Sequence, residues 1–248
     1  MTLDARRIEE LTLNSSAPPG QLLYDGWLLR LSPGKAKRAR SVNAIYPSRL
    51  VLADKVTHCE RLYARARLPA IFRITPFSEP ADLDSHLAAR GYGRFDETAV
   101  EATLIDGSAL QASAARPLEL TRWVHAVGDL RGSAAEHRIA HLARLEGLPL
   151  ALHAVVLEEQ GRVVATGLAM VEDDCAGLFD IVTDPAQLRR GHARQVVSAL
   201  LRAAQALGAR HAYLQVVRDN VPARRLYSQF GFREQYLYWY RGRVGEQH

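Results

Sequence analysis

The stretch that most narrows what this chain can fold into is Phe179–Leu207, FDIVTDPAQLRRGHARQVVSALLRAAQAL. A β-rich run stops at Pro185, and a helical pattern opens after Gly191. Ala193, Val196, Val197, Leu200, Leu201, Ala204 and Leu207 recur at helical spacing, while Arg194, Gln195, Ser198, Arg202 and Gln205 fill the other face. Gly208 stands where a left-handed C-terminal cap belongs. A strand therefore feeds a glycine-containing loop that becomes a helix start. The first amides of a helix have no partner within it, and together with the macrodipole they attract anions. Arg189, Arg190 and Arg194 add positive charge beside them.

The next segment continues the α/β order. A strand at Ala212–Val217 leads into DNVPARRLYSQFGF, with Asn220 as N-cap, Pro222 in the first turn and Gly231 closing the helix. Earlier in this half the patterns predict a strand at Leu118–Thr121, helices near Val124–Leu130 and Ala134–Leu145, and strands at Leu152–Glu158, Val163–Val171 and Gly177–Val182. Asp106–Pro117, DGSALQASAARP, carries no apolar period and reads as a linker, which predicts domains over residues 1–110 and 116–248. The tails of the two halves share a strand, helix, Gly-aromatic, strand order: LPAIFRIT with LDSHLAARGYGRFDETAVEATL, and RHAYLQVV with ARRLYSQFGFREQYLYWY. Duplication explains this, and so does chance likeness between two α/β segments.

Several function classes lose ground. Neither a P-loop pattern nor a complete G-x-G-x-x-G is present, since GYGRFD at Gly91–Asp96 breaks the second at its last position. No apolar run approaches a membrane span, and the start MTLDARRIEE lacks a signal-peptide core, so the expected compartment is the cytoplasm, with no membrane partner. Cys59 and Cys175 show neither disulfide nor zinc spacing and read as buried residues. His137 and His141 lie four apart but do not form H-E-x-x-H, so they read as surface histidines and no metal is expected. The net charge is +5, with its densest cluster at Lys35, Lys37, Arg38 and Arg40. Lacking interleaved aromatics, that cluster reads as a solvated loop, and no nucleic-acid partner is expected.

On these residues the chain resembles the GNAT superfamily of N-acetyltransferases over about Arg116–Arg241. The family's acetyl-CoA loop, [QR]-x-x-G-x-[GA], is matched at Leu188–Ala193, with Leu188 standing where Gln or Arg is usual. The later N-x-x-A-x-x-L-Y-x-x-x-G-F pattern is met by Asn220, Ala223, Leu226, Tyr227, Gly231 and Phe232. The resemblance implies an α/β chain with a mixed sheet: a GNAT fold in the second half, preceded by a smaller, degenerate GNAT-like half. It implies acetyl-CoA as co-substrate, held by the backbone of Ile181, Val182 and Thr183, by the loop Arg189, Arg190, Gly191, His192, Ala193 and Arg194, and by Asn220 and Tyr227.

Acetyl transfer to an amine needs a neutral nucleophile, a polarised thioester and a proton for the leaving thiolate. The resemblance makes Tyr227 the proton donor, while Asp180 and Glu172 are the candidate bases and a water chain is the alternative. The acceptor is expected to be a primary amine of a small molecule or peptide, and a homodimer is an allowed assembly. A non-catalytic acyl-CoA sensor is the competing reading. In the first half, aligning the tails puts Arg49 and Val51 at the places of Gly191 and Ala193, and Leu87 at that of Tyr227, so no CoA is expected there. Trp27 either lines the acceptor wall or packs in that half's own core.

Overall fold

The computed structural model describes residues 3–107, 110–243 and 245. In chain order the elements are α1 (Ala5–Ser15), β1 (Gln21–Tyr24), β2 (Trp27–Arg30), β3 (Val42–Ala44), α2 (Leu52–Arg65), β4 (Phe72–Ile74), α3 (Leu83–Ala89) and β5 (Gly93–Leu104). They continue as β6 (Arg116–Pro117), α4 (Leu120–Arg131), α5 (Ala135–Glu146), β7 (Ala151–Glu159), β8 (Arg162–Glu172), β9 (Cys175–Thr183), α6 (His192–Ala206), β10 (His211–Val217), α7 (Val221–Ser228) and β11 (Arg233–Gly242). The described residues form two compact units, those within 3–15 and 100–235, and those within 16–99 and 236–245. The divisions fall after α1, within β5 and within β11, whereas the 106–117 linker lies inside the first unit.

The first unit orders its strands β5-β10-β9-β8-β7-β6, with β7, β8 and β9 antiparallel and β9 parallel to β10. Adjacent strand residues face opposite sides. Gly167 therefore turns to α6, so close that a Cβ there would fall 2.5 Å from Val196 Cγ1 and 2.8 Å from Leu200 Cδ1. On the other face Leu168 packs with Trp123, Val124 and Val127 of α4 and Leu145 of α5. The strand expected at Leu118–Thr121 is not formed. Glu119 accepts from the amides of Thr121 (2.8 Å) and Arg122 (3.1 Å), and this N-cap starts α4 at Leu120, leaving only β6 ahead of it.

The second unit repeats the order strand, strand, strand, helix, strand, helix, strand, in β1, β2, β3, α2, β4, α3 and β5. The first unit shows it in β7, β8, β9, α6, β10, α7 and β11. The closing strands are exchanged: β4 pairs with β11 (Trp239↔Ile74, Arg241↔Phe72), while β10 neighbours β5. Trp27 is fully buried in the second unit's own core with Phe72, Val56 and Leu87, and its indole donates to the Glu79 carbonyl at 2.8 Å. It therefore lines no acceptor wall. The basic cluster is not simply solvated either, because Arg38 is half-buried and donates to the Tyr238 hydroxyl at 3.2 Å, and Lys37 pairs with Asp96 at 2.7 Å.

Candidate active site

The site begins where two parallel strands part. Pairing between β9 and β10 runs from Cys175↔His211 to Leu178↔Leu214 and stops there, although β9 continues to Thr183 and β10 to Val217. A bulge marks the same place. Thr166 pairs with Val182 and Leu168 with Phe179, so Asp180 and Ile181 together oppose the single residue Gly167. Asp180 adopts φ 50°, and the buried Thr166 hydroxyl donates to its carbonyl at 3.2 Å. Beyond the bulge Val182 and Thr183 remain paired to β8, and residues 181–183 have no pairing to β10.

This stretch leads directly into the loop. Asp184 accepts from the Ala186 amide at 2.9 Å and tightens the turn at Pro185–Gln187. Arg189 (φ 64°) and Gly191 (φ 82°) then take left-handed backbone conformations, and a Cβ at Gly191 would meet nothing within 4 Å. The helix's first internal bond runs from the Gln195 amide to the Gly191 carbonyl at 3.1 Å, so the amides of His192, Ala193 and Arg194 open outward. Arg190 extends into solvent 3.8 Å from Glu159, His192 is buried with Nε2 3.7 Å from the same carboxylate, and Arg194 bonds Gln229. Leu188 is exposed and offers the loop no polar contact.

On α7, Asn220 accepts from the Ala223 amide at 3.2 Å and caps the helix as its position predicts. Tyr227 is buried edge-on to Phe232, with ring centroids 6.0 Å apart. Burial, reinforced by the nearby Glu101 carboxylate, pushes its phenol up to about 12. Its hydroxyl makes no hydrogen bond to any described residue.

The two carboxylates behave differently. Asp180 pairs with Arg131 at 2.7 Å and with His141 Nε2 at 3.2 Å. Burial alone would raise its carboxyl, but Arg131, His141 and Arg144 overcome this and hold it well below the usual carboxylate range. Glu172 lies at the other end of β8, level with Cys175, and accepts from Asn14 Nδ2 at 2.9 Å. Four strand residues separate that level from Phe179, about 13 Å, so Glu172 is remote from the splay. Sequence reasoning missed His141. It is half-buried on α5 against Trp123 rather than on the surface, and no local spacing announces its partner on β9.

Among the described residues one group could hold a metal, Asp174, Cys175 and His211. Burial and the adjacent Asp174 push the Cys175 thiol up to about 12, which keeps it protonated and a poor ligand.

A bulged strand that splays from its parallel neighbour, followed by an open helix start and a tyrosine-bearing helix, defines a GNAT-type acyltransferase fold. The acetyltransferase (GNAT) family model matches residues 122–232. The curated relative described as uncharacterized N-acetyltransferase YobR, from Bacillus subtilis (strain 168), is 29% identical and aligns over 92% of this chain and 94% of its own. A solved GCN5-related N-acetyltransferase from Kribbella flavida shares the fold with a TM-score of 0.73, at 17% identity, over 99% of this chain and 97% of its own. A tandem GNAT protein from the clavulanic acid biosynthesis pathway shares it with a TM-score of 0.57, at 16% identity, over 81% and 74%. Residues 122–232 thus match the acetyltransferase (GNAT) family, and the chain as a whole shares the GNAT fold with these proteins.

Proposed function

We propose that residues 116–248 carry out transfer of an acetyl group from acetyl-CoA directly to a primary amine of a small molecule or peptide. The observation that carries this reading is the junction of the unpaired backbone edge at 181–183 with the open amides of His192, Ala193 and Arg194. The amides and Arg189, Arg190 and Arg194 suit a pyrophosphate. The strand edge suits the amide groups of a pantetheine arm, and a backbone N–H there would polarise the thioester carbonyl. Direct transfer is favoured because both cysteines are buried with thiols pushed up to about 12, chiefly by burial, which leaves no thiolate to carry the acetyl group.

The role of Tyr227 sharpens with its surroundings. A phenol at about 12 facing a thiol of reference value about 8.5 would give up its proton uphill, by about 5 kcal/mol. Its function is therefore to donate a hydrogen bond to the developing thiolate and lower the charge there. The competing reading, an acyl-CoA sensor, draws on the exposed Leu188 at the place of a polar family residue.

Incubation with acetyl-CoA and a panel of primary amines separates the two readings. The expected result is CoA release with one amine gaining an acetyl group. Saturable binding with no turnover on any amine would identify the sensor.

A further inference from the structure

We propose that His141 is the general base for the acceptor amine and that Asp180 is the residue that positions it; this rests on the acetyltransferase reading above. An alkyl amine reaches a neutral site as its ammonium, of reference pKa about 10.4, and must lose a proton before it can attack. Neither expected carboxylate suits the task. Glu172 lies at the wrong end of the strand, and Asp180, held ionised by Arg131, is too weak a base to take that proton.

His141 has the placement they lack. Leu142 and Leu145 pack α5 into the core beneath the sheet, which sets the imidazole edge-on to Trp123 at 6.0 Å and brings Nε2 to 3.2 Å from Asp180 Oδ2. A carboxylate on one ring nitrogen fixes that nitrogen as the donor and leaves the lone pair on the other. Nδ1 has no hydrogen-bond partner among the described residues, and the side chain keeps 18% of its surface exposed. Asp180 sits in the bulge immediately before Ile181, so the pair stands at the edge of the backbone proposed to hold the acyl group. The charged and titratable groups around the imidazole are Asp180 from β9, Arg131 from α4, and His137 and Arg144 from its own helix. Arg131 shares the carboxylate at 2.7 Å.

The acceptor ammonium passes one proton to Nδ1 and thence to solvent, and the freed amine attacks the thioester carbon to form the C–N bond. On collapse the C–S bond breaks, the nitrogen loses its second proton by the same route, and the thiolate leaves with the Tyr227 hydrogen bond and is protonated from solvent.

The test compares kcat/KM against pH for wild type, His141→Gln and Asp180→Asn, using two nucleophiles: an alkyl amine from the panel, and hydroxylamine, which is already neutral at the assay pH and needs no proton removed before it attacks. With the alkyl amine, His141→Gln should lose about 10²-fold or more and its acid limb should disappear. With hydroxylamine, which bypasses the first of the two proton transfers, the loss should be about 10-fold or more smaller. Asp180→Asn should lower kcat/KM for the alkyl amine more than for hydroxylamine, because the ring loses the acceptor that fixes its tautomer and orientation. An unchanged profile in His141→Gln, or equal loss with both nucleophiles, would overturn the assignment. Failure of wild type to acetylate either nucleophile would instead overturn the acetyltransferase reading itself.

Discussion

The two helix starts that occupy equivalent places in the repeated order, α6 and α2, treat an anion in opposite ways. At α6 the left-handed Gly191 opens the chain, and the amides of His192, Ala193 and Arg194 face outward. Ahead of α2, which begins at Leu52, the turn is instead closed from within. Asp25, on the turn between β1 and β2, accepts from the amides of Arg49 (3.1 Å) and Leu50 (3.0 Å), and the buried Lys55 pairs with it at 3.1 Å. Where α7 carries Tyr227, α3 carries Leu87, fully buried in the second unit's core. On the proposed reading, one copy of the fold keeps an anion site and a hydrogen-bond donor, whereas the other holds internal contacts at both places.

The largest expected effect that tests this contrast is that of Gly191→Glu. The left-handed φ costs a non-glycine residue only about 1–2 kcal/mol, and the surrounding space is open, so the protein should fold. A carboxylate at the pyrophosphate position costs several kcal/mol, so acetyl-CoA affinity should fall by about 10³-fold or more. Circular dichroism and calorimetry check the two halves of this expectation, and a folded variant with wild-type affinity would show that the anion site lies elsewhere.

A smaller effect should follow from Tyr227→Phe, which keeps the ring against Phe232 and removes one donor. Acetyl-CoA affinity and melting temperature should hold while kcat falls by about 10²-fold. An equal fall in affinity would place the hydroxyl in binding rather than in the transition state.

The smallest effect on catalysis should come from Asp25→Ala in the other unit. It should lower the melting temperature near neutral pH and leave acetyl-CoA affinity unchanged. Backbone bonds from Leu50 and Arg49, with Lys55, lower the Asp25 carboxyl. Its contribution is thus present above the ordinary carboxylate value of about 3.9 and lost as pH falls through the depressed one. Thermal melts across pH should show the gap to wild type closing on the acid side. A changed acetyl-CoA affinity would mean that this turn serves the active site.

Most of the element order was legible because apolar periods and turn residues are local signals. So was the loop at Arg189–Arg194, whose glycine and helix start are adjacent in sequence. What was not legible depends on groups far apart in the chain. The Asp25 plug joins residues 24 and 25 positions apart, and the Asp180 and His141 pair joins a bulge to a helix 39 positions earlier. The exchange of β5 and β11 leaves no trace in either strand's pattern. The misplaced strand at Leu118–Thr121 had a nearer cause, since an acidic N-cap at Glu119 outweighed a short run of strand-forming residues.

The contrast between the two helix starts is tested most directly by the stoichiometry of acetyl-CoA binding to the full chain by calorimetry. The predicted result is one site per chain, abolished by Gly191→Glu and untouched by Asp25→Ala. Two sites per chain, or one site that survives Gly191→Glu and is lost with Asp25→Ala, would contradict it.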